Sequence, residues 1–177
     1  MDQPWTAPQV QRDEPDLVAG ERASLAQWLD FHRSTLLVKC AGLTSEQLKA
    51  RPVAPSTLSL LGLVRHMTDV EHWWFTMHAA RSGTHLRYST DDDPDGEFNQ
   101  TDSADAVADL DTYRQEIERS RAAAAGLDLD AVVPSRGDHP ERRRDIRWIY
   151  QHMIEEYARH NGHADIIREQ IDGATGD

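Results

Sequence analysis

The sequence predicts an all-α fold, a four-helix bundle in which a long connection joins the second and third helices. Four stretches carry apolar residues at helical spacing with polar residues between them. Every proline lies outside these four stretches. Residues 81–102 lack a helical repeat and exceed the length that a turn between antiparallel neighbours needs, so this segment can cross the end of the bundle or cover a site.

The chain has the length of one domain with a substantial core. Pro4, Pro8 and Pro15 discourage helix near the start, so residues 1–18 are predicted to form an extended N-terminal arm and residues 19–173 the bundle domain.

The first helix is predicted from Ala19 to Ala41, with Gly42 ending it. Its periodic residues are Leu25, Trp28, Leu29, His32, Leu36 and Leu37. Thr44 and Gln47 then form a capping-box pattern, which predicts a short helical turn over Ser45 to Lys49.

The second helix is predicted from Ser59 to Ala80. Its apolar stripe consists of Leu63, Val70, Trp73 and Met77, and His66 falls on the same inward side. Asp69 and His72 should point away from that side, which predicts solvated roles for them.

The third helix is predicted to begin at a Ser103 cap and to close at Gly126. One side of it carries Val107, Leu110, Tyr113, Ile117 and Ala124, and charged residues occupy the other.

The fourth helix is predicted from Asp145 to Asp172, with Gly173 ending it. Its apolar stripe of Ile149, Met153, Ala164, Ile167 and Ile171 also passes through Glu156, His160 and His163. Side chains three or four positions apart are neighbours on one helix surface. A carboxylate and an imidazole so placed can hold one ion together.

If the second and fourth helices pack face to face, His66 meets Glu156 and His160 in the core. Two histidines and one carboxylate are typical of catalytic zinc and of some non-haem iron sites, with a coordination position left open. Zinc is the first candidate for the divalent metal, followed by nickel, iron and manganese. The alternative is a metal-free helix in which Arg, Tyr or water satisfies these groups, or in which Glu156 faces solvent.

The net charge of −12 argues against nucleic acid and anionic membrane surfaces as partners, because both require a basic face. No stretch resembles a signal peptide or approaches the roughly 18 apolar residues of a membrane span. With Cys40 as the single cysteine, no intrachain disulfide can form. We therefore expect a cytoplasmic protein.

The segments LSLLGLVRHMTDVEHWWF and IEEYARHNGHADIIREQIDG resemble the two motifs of the DinB-like (DinB/YfiT-like) superfamily of metalloenzymes, in particular an actinobacterial branch related to mycothiol-dependent enzymes. This resemblance implies a metal inside a four-helix bundle, with His66, Glu156 and His160 as ligands. Many members have histidine where this chain has Glu156, and the mycothiol-dependent members have glutamate. His163 stands where many members have glutamine, so it is either an extra ligand or a neighbour of the ligands.

The resemblance also implies a metal-dependent S-transferase that joins a low-molecular-weight thiol of the mycothiol type, as co-substrate, to a small electrophile. His163 or Tyr157 would then orient a ligand or relay a proton. Two readings compete with this one: a small metal-dependent hydrolase, and a bundle that binds a metal or small ligand without turnover. A metal-free interaction domain is a further alternative, in which Trp73, Trp74 and Trp148 form a partner or homodimer face.

Overall fold

A computed structural model describes residues 4–83, 85–134 and 141–176. Helices take up 59 % of it and strands 5 %, which confirms the all-α prediction. The helices are α1 (Glu21–Cys40), α2 (Ser45–Lys49), α3 (Leu60–Glu71), α4 (Gly96–Asn99), α5 (Ala106–Ala124) and α6 (Ile146–Asp172). A π-helix, His72–Ala79, continues α3, and a 3₁₀-helix, Thr101–Ser103, follows α4.

The four long helices form the bundle, with α1 packed along α6 and α3 packed along α5. The core between them contains Leu29, Leu36, Met67, Leu110 and Met153, each at most 1 % exposed. Because α3 also packs against α6, His66 and the polar stripe of α6 lie on facing helices. No helix within the described ranges combines the length and the apolar character needed to cross a bilayer.

Helix α6 has nearly the predicted bounds because both of its ends carry strong capping signals. The Asp145 side chain accepts a hydrogen bond from the Trp148 backbone N–H at 2.7 Å. Gly173 adopts a left-handed φ of 77° at the other end, and its N–H bonds to the Glu169 carbonyl.

The predicted second helix is interrupted. Ser59 caps α3 by accepting from the Gly62 N–H at 3.0 Å, but the helix widens to π geometry at His72. The Ala80 N–H accordingly bonds to the Phe75 carbonyl, five residues back. This widening shifts the direction of the side chains that follow, and sequence periodicity does not reveal it.

The start of the third helix was predicted wrongly. Asp105 is its cap and accepts from the N–H groups of Val107 and Ala108, whereas Ser103 lies in the 3₁₀-helix before it. The aspartate satisfies two free donors of the first turn, whereas the Ser103 hydroxyl donates to the Gln100 carbonyl. Val107, predicted to face inward, is 40 % exposed.

Two short antiparallel strands were not predicted. Strand β1 (Val132–Pro134) pairs with β2 (Arg143–Asp145), with Val132 opposite Asp145. Because β2 runs directly into the Asp145 cap, the pair fixes the position at which α6 begins.

The described part of the N-terminal arm contains no helix and lies against the turn after α1. The Ala7 N–H donates to the Leu43 carbonyl at 2.9 Å, and the Gly42 N–H donates to the Ala7 carbonyl at 2.8 Å. Ala7 is 3 % exposed, so this contact belongs to the core.

Candidate metal centre

The structure brings together the three residues that the sequence singled out as metal ligands. His66 on α3 and Glu156 and His160 on α6 each have a potential ligand atom within 4.8 Å of the others. The His66 and His160 ring centroids are 4.7 Å apart, and Nε2 of His160 lies 3.5 Å from Oε2 of Glu156. All three side chains are largely buried but keep some exposure, so a small ligand can reach them.

His160 is electrostatically suited to act as a neutral ligand. Burial, reinforced by the neighbouring His66 and His163, lowers its pKa to about 4. The ring is therefore uncharged at neutral pH and carries a free lone pair. Nδ1 of His163 lies 3.3 Å from Nδ1 of His160, so His163 is placed behind this ring, on the side away from Glu156.

Glu97 supports His66 in a way that sequence reasoning missed. Its Oε1 lies 3.0 Å from Nδ1 of His66, and the side chain is almost fully buried. The next residue, Phe98, stacks on the His66 ring with centroids 5.5 Å apart. In the sequence, Glu97 and Phe98 are simply an acidic and an aromatic residue next to each other in the long connection. The connection has no helical periodicity, so the sequence does not show in which direction their side chains point.

Asp69 holds the connection against α3, contrary to the predicted solvated role. It is 3 % exposed. Its carboxylate accepts hydrogen bonds from the backbone N–H groups of Arg87, Tyr88 and Ser89 at 2.8, 3.0 and 3.0 Å. A buried carboxylate needs such partners, and it finds them in the connection because that segment folds back over α3.

His72 was also predicted to be solvated and is not. Its Nδ1 lies 2.9 Å from Oε1 of Glu116 on α5, a carboxylate that is fully buried. This pair ties the beginning of the π-helix to α5.

A cavity of about 200 Å³ opens beside His66. Apolar side chains form much of its wall, namely Val70, Trp73, Trp74 and Leu86, and the polar residues His66, Asp69, Ser89 and Glu97 complete it. Asp69 and Ser89 already bond to backbone groups, so they have little capacity left for a ligand. The cavity therefore suits a small, mainly apolar group next to His66, the one candidate ligand that lines it.

A second group of potential ligands, His152, Glu155 and Glu156, shares one residue with the first. Glu155 is exposed and already pairs with Arg159. The His152 ring stacks on Trp148 at 4.8 Å, and its Nε2 lies 3.6 Å from Oε1 of Glu156. His152 is thus the neighbour of Oε1 of Glu156, while Oε2 faces His160.

Tyr157, the second predicted catalytic residue, lies in a buried network. Its hydroxyl donates to Oε1 of Glu71 at 2.8 Å and accepts from the Tyr113 hydroxyl at 2.9 Å. Arg33 binds the same carboxylate through two N–H groups at 2.7 Å each. Burial, followed by the charge of Glu71, raises the pKa of Tyr157 well above its ordinary value, so it stays protonated as a donor in the core.

The donors present fit a divalent cation. Two imidazoles and a carboxylate form a nitrogen–oxygen set accepted by zinc, nickel, iron and manganese, and three protein ligands leave room for a further one. Oε2 of Glu97, behind His66, is buried and has no hydrogen-bond partner among the described residues. A positive charge in the cluster would offset that buried negative charge.

A family model described as mycothiol-S-transferase matches residues 24–173, which is most of the chain. The same comparisons found no curated protein and no solved structure that matches this chain.

Proposed function

The chain belongs to the mycothiol-S-transferase family, which is DinB-like as the two motifs suggested, and we propose that it joins a mycothiol-type thiol through its sulfur to a small electrophile in a metal-dependent reaction. The observation that carries the proposal is the convergence of His66, Glu156 and His160 within 4.8 Å beside an apolar cavity. The family description supports the thiol and the transfer, and the donor set supports the metal.

In this proposal His66, Glu156 and His160 hold the cation. A divalent cation held there would favour thiolate over thiol near neutral pH, and so supply the nucleophile. The apolar part of the electrophile lies in the cavity and is shielded there from water by Val70, Trp73, Trp74 and Leu86.

The transfer itself is a substitution. The sulfur attacks the electrophilic carbon, a carbon–sulfur bond forms, and the leaving group departs with the pair of electrons that bound it. The thiol proton would pass to solvent water as the thiolate forms. His163 contacts the His160 ring on the side away from Glu156, so we assign it the role of orienting that ligand. Tyr157 receives no contact with the substrate in this scheme, because its hydroxyl is bound to Glu71 and Tyr113.

The protein itself supplies no competing thiol. Cys40 is 1 % exposed, and burial raises its pKa to about 12. The nucleophilic sulfur must therefore come from a co-substrate. A low-molecular-weight thiol stays reduced in the cytoplasm, so we also propose that compartment.

The test measures thiol consumption by untagged protein, prepared metal-free and then loaded with zinc, nickel, iron or manganese, with mycothiol and a panel of alkyl halides. We expect consumption that requires the metal and falls at least about 100-fold in His66→Ala and Glu156→Gln. His32→Gln, on α1, is the matched control and should retain activity. Metal-dependent hydrolysis of esters without thiol would instead indicate a hydrolase, and metal binding without any turnover would indicate a binding bundle.

Elemental analysis of the same untagged protein identifies the metal. The His66→Ala variant should lose most of the bound metal, because only Glu156 and His160, both on α6, would remain as ligands. Sedimentation of the protein tests the predicted homodimer, for which the 39 % exposed Trp148 is a candidate contact.

A further inference from the structure

Glu97 and His66 form a carboxylate–histidine pair at the edge of the candidate metal centre. The contact joins Oε1 of Glu97 to Nδ1 of His66 at 3.0 Å, and Glu97 is 6 % exposed. Glu97 lies outside the group of ligand atoms formed by His66, Glu156 and His160. It therefore contacts a ligand without being placed as one.

The contact determines which nitrogen of His66 can bind a cation. A carboxylate accepts hydrogen bonds, so it favours the tautomer with the proton on Nδ1. Nε2 then carries the lone pair. Outer carboxylates of this kind orient metal-bound histidines in other proteins and increase their basicity.

Packing holds Glu97 in this position. Phe98 stacks on the His66 ring from the same short helix, α4, and α4 packs closely on α3 at Gly62. A Cβ atom at Gly62 would lie 2.7 Å from Cδ1 of Phe98, so only glycine allows this approach without displacement. The Glu97 carboxylate thus comes from the long connection between the second and third long helices. The stacking of the next residue, Phe98, on the His66 ring keeps it beside His66.

The charge of Glu97 adds to the effect of its geometry. Its Oε2 is buried without a hydrogen-bond partner among the residues that the structure describes. A carboxylate in this state is costly in a protein interior, and a cation bound to His66 would reduce the cost. Metal binding and the burial of Glu97 should therefore favour each other.

We propose that Glu97 is a positioning residue of the metal centre: it sets the tautomer and orientation of His66 and strengthens metal binding through its charge. This inference rests on the metal-binding part of the proposed function and does not depend on the thiol or the electrophile.

The first experiment titrates metal-free protein with Zn²⁺ by calorimetry. We expect Glu97→Ala to raise Kd about 10- to 100-fold. Glu97→Gln keeps an acceptor oxygen without the charge, so it should recover part of this loss. Glu116→Gln is the matched control because Glu116 is also buried and also contacts a histidine Nδ1, that of His72, at 2.9 Å. It should lower Tm and leave the Zn²⁺ Kd unchanged.

The second experiment needs no metal. Long-range ¹H–¹⁵N spectra of metal-free wild-type protein should show His66 protonated on Nδ1, and Glu97→Ala should shift it toward the mixture of tautomers of a free imidazole. A wild-type His66 protonated on Nε2 overturns the proposal even if the alanine variant does not fold.

Further outcomes separate this inference from the proposed function. Unchanged Zn²⁺ affinity in both folded Glu97 variants overturns the role of Glu97 and leaves the function standing. Weakened Zn²⁺ binding in a protein whose wild type consumes no thiol supports Glu97 and refutes the transferase. A wild type that binds none of zinc, nickel, iron and manganese refutes both.

Discussion

Replacing Glu71 by glutamine should destabilise the protein more than most single substitutions. Glu71 is fully buried and accepts two hydrogen bonds from Arg33 and one from Tyr157, at 2.7, 2.7 and 2.8 Å. Glutamine removes the negative charge, and its amide N–H₂ group would face a hydrogen-bond donor of Arg33 or Tyr157 instead of accepting from it. Arg33, 4 % exposed, then keeps a buried positive charge whose remaining ionic partner within the described ranges is Asp30, at 2.9 Å.

The expected loss follows from the cost of breaking a buried ion pair by removing one partner, about 3–5 kcal/mol. Because the Asp30 carboxylate is half-exposed and still contacts Arg33, we expect a value near the lower end, about 3 kcal/mol. At roughly 2–4 °C per kcal/mol for a chain of this size, Tm should fall by about 6–12 °C.

Urea unfolding of metal-free protein, followed by circular dichroism, measures the change. Glu118→Gln is the control, since Glu118 pairs with Arg121 at the surface and its side chain is 69 % exposed; it should change the free energy of unfolding by less than about 0.5 kcal/mol. A loss below about 1 kcal/mol for Glu71→Gln would refute the assignment of a buried, charge-dependent pair. The double replacement Arg33→Met and Glu71→Leu should recover much of the stability, because two apolar side chains leave no buried charge without a partner.

Three further predictions concern other parts of the chain. Native protein should not react with a disulfide reagent at Cys40 until urea exposes it, because burial raises its pKa to about 12; prompt labelling would show an accessible thiol. Gly62→Ala should cost about 1–3 kcal/mol and weaken Zn²⁺ binding, because its Cβ displaces Phe98 and with it α4; unchanged Tm and Kd would contradict this. Burial, followed by the charge of Arg12, lowers the pKa of His32 below 6.5, so the unfolded chain binds more protons below that pH and stability falls with acidification. His32→Gln should therefore lose less stability than wild type between about pH 7.5 and pH 5.5, as urea unfolding at both pH values measures, and an equal loss would remove His32 as the cause.

The candidate ligands could be found from the sequence because each lies on a regular helix. Glu156 and His160 are one turn apart, so their proximity is local and independent of the rest of the fold. His66 required one additional step, the packing of two apolar stripes against each other. The capping box of Thr44 and Gln47 could be predicted for the same reason, since a cap acts within one turn of its helix.

Contacts between distant segments had no such local signal. The pairing of Arg33 with Glu71 joins α1 to α3, and nothing in either helix distinguishes these residues from the charged residues on exposed faces. The π-helix is comparable: His72 and Thr76 both contact Glu116 on α5, a partner that the local sequence does not contain. Tyr157 was a catalytic candidate, alongside His163, under the function that the family resemblance implied, and its hydrogen bond to Glu71 became visible only in three dimensions.

This division between local and distant contacts also separates the chemistry of the site from its selectivity. The ligands that would hold a cation lie on α3 and α6, where periodicity predicts direction, so the sequence points to the metal centre. Much of the cavity wall comes from elements where periodicity fails: Trp73 lies on the π-helix, and Leu86 lies in the connection that Asp69 binds through backbone N–H groups. Substitutions at Leu86 should therefore change which electrophile is accepted while leaving Zn²⁺ affinity intact, and a parallel loss of both would show that the cavity and the metal centre are not separable.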